Sequence, residues 1–99
     1  MKGSYAVIWR DDGGVRSGCL KPRDDSFELS ARGRSLSIMF SGLAGASIGR
    51  APAERLRGLP VLCLLTCGGA AISVASLEGP GVLRELAEHV ERSGLSVAA

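Results

Sequence analysis

"GPGVLRELAEHVERSG", residues 79–94, is the one stretch of the chain whose apolar residues recur at helical spacing. Pro80 suits a first helical turn and Gly94 suits the left-handed residue just past a helix end, so the segment predicts a helix over residues 80–93. At 100° per residue, Val82, Leu83, Leu86, Ala87 and Val90 fall on one stripe, with Arg84, Glu85, Glu88, Glu91 and Arg92 opposite. Glu88 and Arg92 stand four apart in the favourable order for an ion pair. Such a helix must lay one face on something apolar. What precedes it is strand and turn, so the fold depends on what a strand-rich chain does with one terminal helix.

Residues 4–10 (SYAVIWR) and 15–21 are rich in β-formers and flank Asp11-Asp12-Gly13-Gly14, which reads as a hairpin. After the turn at residues 22–25, residues 26–31 (SFELSA) place Phe27, Leu29 and Ala31 on one face. Residues 35–40 (SLSIMF) do the same with Leu36, Ile38 and Phe40, so both are half-buried strands. A turn near residues 41–44 leads to a fifth strand at 45–50, and residues 51–59 (APAERLRGL) read as a polar loop. Residues 60–67 and 70–76 form a last hairpin around Gly68-Gly69.

Seven short antiparallel strands followed by one amphipathic helix are expected to make two small sheets packed nearly at right angles. The barrel so formed is partly open at one corner, and the helical stripe plugs it. Three stretches carry a resemblance on top of this pattern. These are "GCLKPRDDSFELSA" (18–31), "LAGASIGR" (43–50) and "ASLEGPGVLRELAEHV" (75–90), and they resemble the small bacterial pleckstrin-homology-like (PH-like) proteins over residues 4–93. The resemblance implies a mainly β, PH-like seven-stranded antiparallel barrel in a single domain, 1–99. Strands would span 4–76, the helix 80–93 and a frayed tail 94–99. The tryptophan that PH domains commonly carry in the terminal helix is absent here, the sole Trp being Trp9 on the first strand.

Composition narrows the function classes. The 99 residues are 45% hydrophobic and 22% charged, with a net charge of +2 from ten Arg and two Lys against ten acids. That balance lacks the concentrated basic face of a nucleic-acid binder. The N-terminal residues show no apolar signal region, and the longest apolar run, residues 59–65, is interrupted by Pro60. It is far short of the roughly 20 residues of a membrane span. The expectation is a cytoplasmic protein. Cys19, Cys63 and Cys67 are an odd set without a partner cluster, which predicts reduced apolar core thiols and no metal site. His89 is the only histidine, and the helical wheel places it at the border of the apolar stripe, beside Glu85 one turn back, as a surface imidazole with a partial partner. None of the twelve serines lies in a G-x-S-x-G elbow, and no phosphate loop of the form G-x-x-x-x-G-K-[ST] occurs. No catalytic residue and no cofactor are therefore assigned.

Two surfaces remain. The string Lys21…Arg32-Gly33-Arg34 resembles the K-x(n)-[KR]-x-R pattern of phosphoinositide-binding PH domains. By the resemblance, the ligand-facing loops follow strands one, three and six, so Lys21 stands at the opposite end. Asp11 and Asp12 crowd Arg32 and Arg34, which makes a poor site for a multiply charged phosphate. Arg32 and Arg34 are kept as an alternative site for anionic headgroups or phosphorylated ligands, with membrane association not favoured. The basic group Arg50, Arg55 and Arg57 belongs to the polar loop, with Glu54 among it. Residues 61–67 are apolar on both faces: Val61, Cys63 and Leu65 on one, Leu62 and Leu64 on the other. Ala71 and Ala75 are small groups on the neighbouring strand. A single barrel interior leaves one such set outside, as partner surfaces require. The leading expectation is thus a non-catalytic interaction module. It would self-associate as a homo-oligomer, or dock a protein partner, through Leu62, Leu64, Ala71 and Ala75.

Overall fold

Period-two patterning becomes a mainly β structure in the computed structural model, which describes residues 3–98 except for the side chain of Pro80. The strands are β1 (Tyr5–Asp11), β2 (Gly14–Pro22), β3 (Ser26–Ala31), β4 (Arg34–Met39), β5 (Leu43–Gly49), β6 (Val61–Thr66), β7 (Ala71–Ser76) and β8 (Val97–Ala98). One helix, α1 (Pro80–Glu91), lies between β7 and β8, and a single 3-10 turn (Phe40–Gly42) links β4 to β5. The strands form one curled sheet in the order β4-β3-β2-β1-β7-β6-β5-β8, a half-barrel whose ends do not join.

This corrects the expected count and layering. Among the described residues there are eight strands rather than seven, the eighth being β8, and they form one hydrogen-bonded sheet rather than two separate ones. The cause is β1, which pairs antiparallel with β7 from Val7↔Ser76 to Arg10↔Ser73 and so ties the four-strand and three-strand meanders together. Curling also needs close backbone approach. A Cβ on Gly18 would lie 1.8 Å from the Ser30 carbonyl oxygen, so only glycine permits β3 to press against β2 there.

Inside the curl, Tyr5, Val7 and Trp9 of β1 meet Leu20, Phe27, Leu29, Ile38, Leu62, Leu64, Ile72 and Val74. Leu83, Leu86, Ala87 and Val90 of α1 close this core from the open side, with Val82 half-buried beside them. Each large apolar side chain buried this way is worth about 1.5–3 kcal/mol. The helix therefore does what its stripe predicts. It stops at Glu91, two residues short of 93, and Gly94 follows at φ +103°. The expected Glu88–Arg92 pair is not made. Glu88 instead meets Arg84 at 3.6 Å, while the Arg92 N–H caps the Glu88 carbonyl at 3.1 Å.

His89 lies at the border of the stripe and is half-buried, but its partners differ: it packs against the rings of Phe27 and Phe40 and hydrogen-bonds the Arg23 carbonyl through Nε2. Glu85, its expected neighbour, accepts the Tyr5 hydroxyl at 2.9 Å.

The other face of the sheet carries a second, smaller cluster. Ile8, Val61 and Ala75 are fully buried there, beneath Leu56 with Leu59 and Cys63 at its margin. Leu56 and Leu59 come from the loop that reads as polar. That loop is internally bonded: the Leu56 N–H donates to the Leu59 carbonyl (3.1 Å) and the Leu59 N–H to that of Leu56 (2.9 Å). Arg57 and Gly58 make the turn between them, both at positive φ (49° and 75°) as a tight two-residue hairpin requires. Arg55 then fastens the loop to itself, its guanidinium donating to the carbonyls of Arg50 and Gly58. The eleven residues 50–60, which look like a connection, are a lid on the outer face.

The lid overturns most of the expected interface. Leu62 and Leu64 are 0% exposed in the inner core and Ala75 is 0% exposed under Leu56, so none of them can anchor a partner. Their alternation on β6 was sound. What it does not specify is which set faces inward, or that the outward set is also covered. Ala71 alone of the four is exposed. The cysteines are free, but they are not core thiols: Cys19 and Cys63 are half-buried and Cys67 is exposed in the turn after β6. The tail is likewise not frayed through Ala98. Leu95 and Val97 pack against the main core, and Val97 and Ala98 pair in parallel with Ala46 and Ser47 of β5. Met1, Lys2 and Ala99, which the single-domain reading includes, lie outside the described residues.

Candidate functional site

The first candidate lies at the hairpin end of the sheet, where β1–β2 and β3–β4 turn. Asp11 sits at its centre with a side chain only 5% exposed. It accepts hydrogen bonds from Arg16 (2.8 Å), Arg34 (2.9 Å) and the Gly13 N–H (2.9 Å). The Arg16 guanidinium also lies over the Trp9 ring, 5.4 Å from its centroid. Burial works to raise the Asp11 carboxyl. Hydrogen bonds from Arg16 and Gly13 and the charges of Arg16 and Arg34 outweigh it and hold the carboxyl below its ordinary 3.8.

This arrangement divides the proposed anion site. Arg34 is committed to Asp11, so its fork is not free to chelate a phosphate. Arg32 stands exposed on the turn without it, and Lys21 lies on β2 opposite Glu28 of β3, away from both. The three residues of the Lys21…Arg32-x-Arg34 string are not brought together. Among the described residues no group of His, Cys, Asp and Glu is placed to hold a metal ion.

The second candidate is a groove of about 650 Å³ between α1 and the β5 edge. Its floor is apolar, from Ile48, Leu59, Leu83, Ala87 and Val97. Its rim carries both signs of charge, with Arg50 on the strand side and Glu88 and Glu91 on the helix. Three accidents of sequence build it. The helical stripe continues to Ala87, a side chain too short to fill the space over β5. The lid loop ends at Leu59 and Pro60 beside the helix. The tail then returns as β8 and lays Val97 along one wall.

Sequence reasoning missed this groove because it treated the tail as disordered. The available signal was the alternation of Leu95 and Val97 around Ser96, which reads as a short strand. No helix of the described residues is long and apolar enough to cross a membrane.

Comparisons with known proteins add the fold and nothing chemical. No family model matches the chain, and no curated protein does. Among solved structures the chain is similar to the C-terminal domain of an unknown protein from Leishmania infantum, with a TM-score of 0.68 and 12% identity. The match covers 89% of this chain and 81% of that one. A likeness at such identity speaks for the curled sheet and its helix alone.

Proposed function

We propose that this chain is a non-catalytic interaction module with a PH-type barrel, which docks an extended apolar segment of a protein partner in the groove between α1 and β5. Two meanders joined through β1 and β7, with a C-terminal helix in the opening, support the PH type. The observation that carries the docking mode is the tail. A stretch of this chain already lies extended on the β5 edge and sets a branched apolar side chain, Val97, against the groove. The groove beside β8 thus favours an extended segment with an apolar anchor, whose side chain the pocket selects. The mixed charges of Arg50, Glu88 and Glu91 favour a polypeptide over a polyanion at this position.

The anionic-ligand alternative has less support, because Arg34 is held by Asp11. One experiment separates the two. The full chain, labelled for NMR, is titrated in parallel with a peptide of the sequence LSVAA and with vesicles rich in phosphatidylserine. Saturable shifts at Ile48, Leu83 and Ala87 with the peptide, and none at Arg32 and Arg34 with vesicles, are expected. Vesicle binding that disappears in Arg32→Ala, together with no response to the peptide, contradicts the proposal.

A further inference from the structure

The two ends of the curled sheet are finished differently. One end finishes in the two-residue β8, paired with Ala46 and Ser47 of β5, whereas the other finishes in the six-residue β4, which among the described residues pairs only with β3. The Phe40 N–H donates to the Asp25 carbonyl at 2.9 Å. In the alternating antiparallel ladder, Ile38, Leu36 and Arg34 therefore turn their amides towards β3, and Ser35, Ser37 and Met39 turn theirs outward. All three of these residues are exposed. The strand has no Pro, no bulge and no Lys, which are the usual devices that protect such an edge.

We propose that the β4 edge pairs antiparallel with β4 of a second copy about a two-fold axis at Ser37. That register sets Ser37 opposite Ser37 and Ser35 opposite Met39, so each outward N–H donates to the carbonyl of the facing residue and every one of them is satisfied. The intervening pair is Leu36 opposite Ile38, on the face that lines the core. Leu36 is half-buried, and the pairing sets it beside the second copy's Ile38. No like charges meet, because Arg34 is the only charged residue of the strand and falls opposite Phe40. The strand's one charge, Arg34, lies at its end and away from the axis, and this favours a second copy. Because the two-fold pairing uses the β4 edge of both copies, the assembly ends at two rather than growing into a filament.

Sedimentation of the full chain, from the micromolar range up to about 1 mM, tests this. A reversible monomer–dimer equilibrium that stops at twice the chain mass is expected. Ser37→Lys sets two like charges across the axis on an exposed position, and it should weaken the dimer by about tenfold or more with an unchanged circular dichroism spectrum. Ser37→Thr should leave the dimer intact. A parent that stays monomeric throughout overturns the proposal, and so does a dimer whose dissociation Ser37→Lys leaves unaltered. An edge whose Ser35, Ser37 and Met39 amides respond only to a different protein also overturns it.

Discussion

The two faces of the curled sheet are both apolar, yet they are closed by unlike means. A regular helix covers the inner face with a stripe of four buried residues, Leu83, Leu86, Ala87 and Val90. A short loop covers part of the outer face with two leucines, Leu56 and Leu59, held by a pair of reciprocal backbone bonds. The central strands β1 and β6 need both covers, because they carry apolar side chains in both directions. Two-sided apolar strands in a small barrel are therefore not by themselves a sign of a docking surface. A loop of eleven residues suffices to hide them, provided that its own backbone is satisfied.

The largest effects are expected on the inner face. Leu62→Glu with Leu64→Glu, at two positions the sequence suggests as interface, should abolish folding. Two charges would enter a core that the whole domain stabilises by only about 5–15 kcal/mol. Leu86→Asp should cost at least about 4 kcal/mol and remove the cooperative thermal transition. A parent-like melt of Leu86→Asp would mean that α1 does not close the core. Next comes the outer face. Leu56→Ala should cost about 2 kcal/mol, at the low end for a buried leucine because the lid can settle, and should lower the melting temperature by roughly 8–16 °C. A loss as large as that of an inner leucine would erase the distinction between the faces, and no loss would remove the lid.

A smaller effect is expected at the hairpin end. Asp11 has a folded pKa below its ordinary 3.8, so it contributes stability above that value which is lost as pH falls through the folded one. Asp11→Asn should lower the urea midpoint at pH 7 and flatten its fall below about pH 4. Equal midpoints for the two proteins across that range would show that the Arg16 and Arg34 contacts contribute nothing. Smallest of all is Leu65→Ser. Leu65 is 46% exposed beyond the lid, and the change should stay within about 0.5 kcal/mol. A larger loss would mean that another molecule covers this end of the outer face.

The strands with one wet face were legible from the sequence. In β3 and β4, Leu29 and Ile38 are buried while Ser30 and Ser37 are exposed, as alternation demands. The helix was equally plain, since its stripe, its Pro and its Gly agree. The rest was hidden for definite reasons. On β6, alternation separates Leu62 and Leu64 from Val61 and Cys63 but carries no information on which set meets the helix. In the lid, Leu56 and Leu59 are spaced by a turn and surrounded by arginines, so no periodicity marks them. The groove depends on β8, two residues long, whose pairing with Ala46 and Ser47 rests on a contact distant in sequence. The one candidate read from a motif, Arg32 with Arg34, was divided by Asp11, a contact between two hairpins that a string match does not represent.

Native-state hydrogen exchange at Leu56 and Leu59 tests the closed outer face most directly. Both amides donate within the lid and both side chains lie against the outer cluster. They should exchange at least about a hundredfold more slowly than the amide of an unstructured chain, although the sequence around them reads as a polar loop. Exchange of both at the unstructured rate would place the lid off the sheet and leave Ile8, Val61 and Ala75 open for another molecule to cover.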